Sequence, residues 1–197
     1  MRVSVSFWLF LLAAAIVSPA QVIVSVLLAA FLHECGHLAL LRLFHVPVEG
    51  LRLTVLGAEL YANGVRRLSY GRELLVTLAG PAINLFCAVL AGVFAKYWMA
   101  LYIFAGANAI LCAYNLLPIR PLDGGHALYL VTAFFFGPMV GDAVAAVVGA
   151  ACALSLLVLG IYLSVVSGSG MFFLLAAVSL LFGALPQLRL AKNVVKV

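Results

Sequence analysis

Residues 31–41 read Phe-Leu-His-Glu-Cys-Gly-His-Leu-Ala-Leu-Leu and place His33, Glu34 and His37 inside an otherwise apolar run. Residues four apart share one face of a helix, so both imidazoles can reach one metal ion, most often zinc. Glu34 follows the first histidine, where it can take a proton from a water molecule. The alternative is a buried polar cluster that binds nothing. Because such groups are costly in an apolar helix, the pattern favours a metal site.

The composition places the chain in a membrane. Its 197 residues are 67% hydrophobic and 9% charged, whereas a soluble domain has about 25% charged residues. The net charge of +5 comes from basic residues dispersed at the ends of apolar stretches, which is typical of topology determinants and does not indicate a nucleic-acid partner. The four cysteines lie in apolar runs without the spacing of a metal site, so they are expected to be buried thiols.

Uncharged stretches predict an all-α membrane protein, a polytopic bundle of about six transmembrane helices. The first hydrophobic segment also resembles a signal peptide cleaved near Ser18-Pro19-Ala20, although a retained helix is favoured. The Ser167–Gly170 segment divides the last uncharged stretch into two helices. The predicted spans are about 5–17, 21–43, 74–95, 97–119 and two within 143–188, with a short helix at 126–137.

The segment between the second and third helices differs in character. From residue 46 to residue 62, apolar and polar residues roughly alternate, and Asn63-Gly64 follows as a turn motif. This pattern predicts a small membrane-associated β-hairpin, and an ordinary loop is about equally compatible with it. An exposed strand edge there could pair with an extended substrate peptide.

Two further polar side chains stand in apolar surroundings. Asp123 lies in a segment broken by Pro118, Pro121 and a glycine pair, and it is the leading choice for a third metal ligand. Alone it would be an ordinary turn residue. Asn84 follows Gly80-Pro81 within the third predicted helix, where it offers an amide either to a buried site or to a neighbouring helix.

The basic residues also predict the orientation. With six spans and both termini inside, all of the 11 lysines and arginines except Lys96 lie on the inner side, as the positive-inside rule requires. His33, Glu34, His37 and Asp123 then fall near the cytoplasmic ends of their helices. We therefore expect a multi-pass membrane protein with its termini and its site toward the cytoplasm.

Three stretches together resemble the site-2 protease family of intramembrane zinc metalloproteases: His33–His37, Gly80–Asn84 and Asn115–Gly125. The branch that processes a membrane-associated pro-sigma factor in sporulation is the most similar. The resemblance covers about residues 20–130, and the last two helices match only in hydropathy.

The resemblance implies a single metalloprotease domain over residues 1–197, with a catalytic core at about 20–130, extra helices at about 140–188 and no separate soluble domain. It implies one Zn²⁺ per chain, and it gives roles to particular residues. These are His33, His37 and Asp123 as metal ligands, Glu34 as the general base, Asn84 as a catalytic group that holds the substrate or the oxyanion, and Asn115 as support for the loop that bears Asp123.

The chain departs from the family branch in three respects. We expect neither a C-terminal nucleotide-sensing domain nor an inserted PDZ-like domain, and Arg120 places a charge beside the loop that bears Asp123. The expected partners are a membrane-embedded or membrane-associated protein substrate, the bilayer and membrane-protein regulators, with no nucleic acid. The alternatives are a metal-ion-binding membrane transporter and a non-catalytic membrane partner.

Overall fold

The computed structural model of the protein describes residues 2–3, 18–48, 50–54, 57–61, 68–167, 178 and 180–181. The chain divides into two compact units, Met1–Tyr114 and Asn115–Val197, and each is described by itself. The elements in chain order are β1 (Arg2–Val3), α1 (Ala20–Leu43), β2 (Gly50–Thr54), β3 (Gly57–Tyr61), α2 (Tyr70–Phe94), α3 (Ala100–Asn115), α4 (Asp123–Phe136) and α5 (Pro138–Ser167).

Among the described residues, three helices are long and apolar enough to cross a membrane, namely α1, α2 and α5. Helix α3 is apolar too, but it has only 16 residues. Large apolar side chains such as Phe31, Phe86 and Val158 are exposed on these helices, as expected where lipid covers the surface. The predicted spans at about 5–17 and beyond residue 170 lie outside the described residues, apart from 178 and 180–181. A membrane protein is therefore established, and the number of six spans stays a prediction.

The segment after α1 contains strands. Strands β2 and β3 pair antiparallel, with Gly50 opposite Tyr61 and Thr54 opposite Gly57. The short strand β1 pairs parallel to β2 on the other side, so the sheet order is β1-β2-β3. The parallel partner comes from the start of the chain, where the sequence predicts no strand.

Helices α1 and α2 pack through small and polar residues on facing stripes. The buried residues of α1 recur every three or four positions, at Ser25, Ala29, His33, Gly36, His37 and Leu41. A β-carbon added at Gly36 would lie 2.6 Å from the carbonyl oxygen of Ala79 on α2. Small residues let helix backbones approach this closely in a membrane, where dispersion and hydrogen bonding drive association.

A Schellman motif ends α1 six residues after His37. The N–H of His45 donates to the Arg42 carbonyl at 3.0 Å, and the N–H of Val46 donates to the Leu41 carbonyl at 2.9 Å. His45 takes the left-handed conformation that the motif requires, with φ 55°. Leu41 and Val46 then pack with Val76 of α2 in one apolar cluster. This contact fixes where α1 stops relative to α2.

The second unit is built on α4 and α5. The chain turns at Gly137, with φ 87°, and α5 begins at the next residue. A β-carbon at Gly141 would lie 2.9 Å from that of Ala133, and Ala145, Ala146 and Ala153 are buried. As in the first unit, small residues bring two helix backbones together.

Several helix boundaries differ from the prediction, and the end of α3 and the start of α4 bear on the candidate site. Helix α3 ends at Asn115 and not near residue 119, because a residue before a proline disfavours helical geometry and Pro118 follows. Helix α4 starts at Asp123 and not at His126. An acidic residue in the first turn is favourable because it faces the positive end of the helix dipole, so Asp123 lies at a helix start and not within a loop.

The close approach at Gly36 predicts a sharp difference between two glycine substitutions. Gly36→Ala forces α1 and α2 apart, and overpacking of this kind costs about 1–3 kcal/mol. Gly92→Ala is the matched control, because outside the nearby backbone of α2 no atom of the described residues lies within 4 Å of the added carbon, and alanine is the better helix former. Thermal unfolding in detergent should show a lower midpoint for Gly36→Ala alone. Equal midpoints would contradict the packing described.

Candidate metal centre

Two buried imidazoles converge on one face of α1. His33 and His37 are only 5% and 8% exposed, and their Nε2 atoms lie 3.1 Å apart. The ring planes are inclined at 78°, with centroids 4.7 Å apart. The helical spacing of four residues produces this convergence, because it places the second ring one turn above the first.

The Nδ1 atom of each ring is held by an oxygen acceptor. His37 Nδ1 donates to the carbonyl oxygen of Val76 at 2.8 Å, and a carbonyl can only accept, so the proton is on Nδ1. His33 Nδ1 lies 2.6 Å from Asn84 Oδ1. The Asn84 amide nitrogen donates to the carbonyl of Ala29 at 3.0 Å, which identifies Oδ1 as the acceptor facing His33.

These protons leave Nε2 as the lone-pair atom of each neutral ring. Two lone pairs 3.1 Å apart repel each other unless a positive centre, either a proton or a metal ion, is shared between them. Two nitrogens bound to a tetrahedral zinc at about 2.0–2.1 Å would be about 3.3 Å apart. Metal-binding histidines typically donate the other ring N–H to an oxygen acceptor. The donor set therefore fits a metal ion such as zinc.

The backbone of α2 forms the wall beneath the two rings at Gly80. A β-carbon there would lie 2.7 Å from Cε1 and 2.8 Å from Nε2 of His33, and it would also collide with Nε2 of His37. No side chain larger than hydrogen fits. The motif that contains Gly80 is visible in the sequence, but its contact with both imidazoles depends on how α1 packs on α2.

The other residues predicted for the site have different surroundings. Glu34 is half-buried on α1, next to His33. Asn84 is fully buried, and both of its amide hydrogens are used, since it also donates to Asn108 Oδ1 at 2.9 Å. Asp123 and Asn115 belong to the second unit, where they are half-buried at the start of α4 and the end of α3. Whether they take part in the centre stays a prediction.

Asn108 on α3 was missed by the sequence analysis. It is completely buried, accepts from Asn84 and donates to the Phe104 carbonyl at 2.9 Å. An asparagine within the apolar run 97–119 was the available clue, because polar residues in such helices usually face the protein interior. Its hydrogen-bond partner, Asn84, lies 24 residues earlier on another helix, so the sequence alone does not predict the pairing.

Glycines in the second unit allow the segment before α4 to fold back on the start of that helix. A β-carbon at Gly124 would lie 2.5 Å from the Leu117 carbonyl oxygen, and one at Gly125 would lie 2.5 Å from the backbone nitrogen of Arg120. Ile119, which lies between Leu117 and Arg120 in the chain, is fully buried. Close packing of the backbone therefore accounts for both glycines of the Asp123-Gly124-Gly125 sequence.

Arg120 is tied within the same unit. Its guanidinium forms an ion pair with Asp142 of α5 at 3.0 Å and lies over the ring of Tyr129 on α4, 4.4 Å from the centroid. These contacts give the unexpected charge a structural role, because they join the segment before α4 to α4 and α5.

A cavity of about 410 Å³ in the first unit is lined by apolar and aromatic residues, among them Cys87, Phe94, Trp98 and Phe104. Its lining contains no carboxylate, imidazole or amide side chain, so it offers no set of metal ligands. The converging imidazoles, and not this cavity, are therefore the candidate metal site.

A comparison with solved structures bears on the fold of the chain. The chain is similar to the site-2 protease from Methanocaldococcus jannaschii, with a TM-score of 0.71 and 23% identity over 94% of this chain and 88% of that one. The chain has the site-2 protease fold. No protein-family model matches it.

Two curated relatives are similar to part of this chain. A zinc metalloprotease of M. jannaschii is 25% identical over 137 residues, or 66% of this chain. Stage IV sporulation protein FB of Bacillus subtilis is 31% identical over 117 residues, or 56% of this chain. The matches span only 40% of the length of each relative.

The contact of Gly80 with both imidazoles predicts that Gly80→Ala weakens metal binding. The added carbon displaces His33 and His37 from their converging positions. Changes next to metal-binding histidines typically cost 10-fold to 100-fold in affinity, and we expect a loss of roughly that size. Chelator competition for zinc in detergent measures it, with Gly92→Ala as the control. Unchanged affinity in Gly80→Ala would contradict the proposed position of the metal.

The contacts of Arg120 predict a modest energetic coupling. Arg120 and Asp142 are partly exposed, so we expect about 0.2–1 kcal/mol from a double-mutant cycle of Arg120→Met and Asp142→Asn. Arg120→Met alone should be the more destabilising change, since it also removes the contact with Tyr129. Unfolding free energies in detergent test this, and strictly additive effects would argue against the ion pair.

Proposed function

We propose that this protein is an intramembrane zinc metalloprotease that cleaves a membrane-embedded or membrane-associated protein by means of an activated water molecule. The observation that carries the proposal is the pair of buried imidazoles whose Nε2 atoms lie 3.1 Å apart while both Nδ1 atoms are held by oxygen acceptors. The names of the family relatives, a zinc metalloprotease and a site-2 protease, support the same activity.

In this proposal His33, His37 and Asp123 hold one zinc ion per chain. Two imidazoles and one carboxylate are a ligand set used by catalytic zinc sites, which keep a fourth position open. When bound, zinc supplies Lewis acidity, which activates water and polarises the peptide carbonyl. The hydrogen bonds from His33 Nδ1 to Asn84 and from His37 Nδ1 to the Val76 carbonyl keep both rings oriented for this purpose.

Glu34 acts as the general base and then as the general acid. It takes a proton from the attacking water, whose oxygen bonds to the carbonyl carbon of the substrate. The carbon–nitrogen bond then breaks, and Glu34 returns the proton to the leaving nitrogen. The position of Glu34, half-buried and next to His33, supports this role because the carboxylate is neither sealed in the packing nor fully exposed.

Asn84 has a different role in this proposal from the one implied by the family resemblance. A group that stabilises an oxyanion must direct a hydrogen at the substrate. The amide hydrogens of Asn84 are used by the Ala29 carbonyl and by Asn108. We therefore propose that Asn84 orients His33 and does not itself contact the substrate.

The substrate segment must be unwound before it is cut, because a helix hides its amides in its own hydrogen bonds. Within the described strands β3 pairs with β2 alone. An edge strand can pair with an extended peptide, so we propose that β2 and β3 form the membrane-associated hairpin and guide substrate. The similarity to a sporulation protein makes a pro-sigma factor one candidate substrate.

The proposed topology follows from the basic residues. We propose one metalloprotease domain of about six transmembrane helices in a bacterial cell membrane, with the termini and the site toward the cytoplasm. Regulation would come from other membrane proteins.

Glu34→Gln is the variant that tests the proposed function. It preserves the size of the side chain but cannot accept the proton, and loss of general-base catalysis lowers rates by on the order of 10²–10⁴. Because Glu34 is not a proposed ligand, zinc content should stay near one ion per chain. The measurements are zinc content in detergent and cleavage of single-span and membrane-anchored pro-proteins in vesicles.

Glu73→Gln, at the first turn of α2, is the matched control and should retain both properties. Zinc binding without cleavage in the unaltered protein would favour the transporter or the non-catalytic partner. An unaltered protein that binds no zinc would overturn the metal centre.

A further inference from the structure

We propose that Asn108 is a positioning residue for the metal centre and acts on His33 through Asn84. This inference rests on the proposed function, since it assigns a task to a residue that does not touch the metal. The three residues come from three different helices of the first unit, α1, α2 and α3. Both asparagines are completely buried, with 0% exposure.

The hydrogen bonds that link His33, Asn84 and Asn108, which we call the relay, run in one direction. The amide nitrogen of Asn108 donates to the Phe104 carbonyl of its own helix at 2.9 Å. Asn108 Oδ1 therefore faces Asn84 and accepts from its amide nitrogen at 2.9 Å. Asn84 Oδ1 in turn accepts from His33 Nδ1 at 2.6 Å. Because a backbone carbonyl can only accept, the Phe104 carbonyl sets the direction of every step.

This direction decides the tautomer of His33. An asparagine amide can turn over, which exchanges its oxygen and nitrogen. If Asn84 turned over, its N–H groups would face His33 Nδ1 and would favour a proton on Nε2, the atom that must bind the metal. The Ala29 carbonyl and Asn108 Oδ1 prevent this, because each needs a hydrogen from the Asn84 nitrogen.

The relay also explains a difference between the two histidines. His37 needs no such help, since its Nδ1 bonds directly to the Val76 carbonyl, and a carbonyl within a helix cannot turn over. His33 instead bonds to the side-chain amide of Asn84, which can turn over. Asn108 gives that fully buried side chain a second fixed partner, and a hydrogen bond is stronger in a low-dielectric interior than in water.

The test compares Asn108→Leu with the unaltered protein. Leucine has a similar volume but offers no acceptor. Removing partners behind metal-binding histidines lowers metal affinity 10-fold to 100-fold, and Asn108 lies one step further away, so we expect roughly a tenfold loss. Zinc affinity is measured by chelator competition, and the cobalt(II) absorption spectrum reports the geometry of the ligands.

Controls separate positioning from packing. Cys112→Ala alters another buried residue one turn along α3, and it should lower thermal stability while zinc affinity and the cobalt spectrum stay unchanged. Asn108→Asp in its protonated form donates its hydroxyl to the Phe104 carbonyl, keeps an acceptor oxygen toward Asn84 and should retain most of the affinity. If Asn108→Leu does not fold, Asn108→Ala removes the same acceptor and is compared with Cys112→Ala.

The outcomes distinguish this inference from the proposed function. Tight zinc binding and cleavage by the unaltered protein, with the same affinity and spectrum in Asn108→Leu, would overturn the relay alone. Absence of metal binding in the unaltered protein would overturn both. A tenfold loss of affinity with a changed cobalt spectrum, restored by Asn108→Asp, supports the relay.

Discussion

The close approach of α1 and α2 is the constraint on which the rest of the first unit depends. Gly36 lets the backbone of α1 contact the Ala79 carbonyl, and Gly80 lets the backbone of α2 lie against both imidazoles. A methyl group at either position would separate the helices or displace the rings. Because the two helices are this close, Val76 and Asn84 of α2 reach the Nδ1 atoms of histidines that belong to α1.

The polar groups in this contact illustrate how an apolar helix pair holds chemistry. A buried amide or imidazole without a partner costs about 1–3 kcal/mol, and a bilayer offers no water to supply one. The amides of Asn84 and Asn108 and the Nδ1 atoms of both histidines are satisfied by groups of the same unit. Their directions are consistent, so the network fixes which nitrogen of each ring is the lone-pair atom.

Glycines also allow close backbone contacts in the second unit. Gly124 and Gly125 let the segment before α4 fold against the first turn of that helix. Arg120 then ties the segment to α5 through Asp142 and to α4 through Tyr129. Asp123, the residue proposed as the third ligand, follows this segment directly at the start of α4.

The sequence alone determined the kind of protein and most of the proposed centre. Its apolar composition established a membrane protein, and the spacing of His33 and His37 on a helix predicted that their rings converge, because helical geometry is local. The bounds of the described helices were predicted to within a few residues, and the largest differences are the early end of α3 before Pro118 and the earlier starts of α2 and α5. The motifs also indicated the site-2 protease family, whose fold the structure has.

Only the tertiary structure decided how those residues are supported. The bond between Asn84 and Asn108, the use of the Val76 carbonyl by His37 and the wall at Gly80 join residues that lie far apart in the chain. The parallel pairing of β1 with β2 joins segments about 50 residues apart. Such contacts depend on which helix faces are pressed together and at what distance, and no local periodicity carries that information.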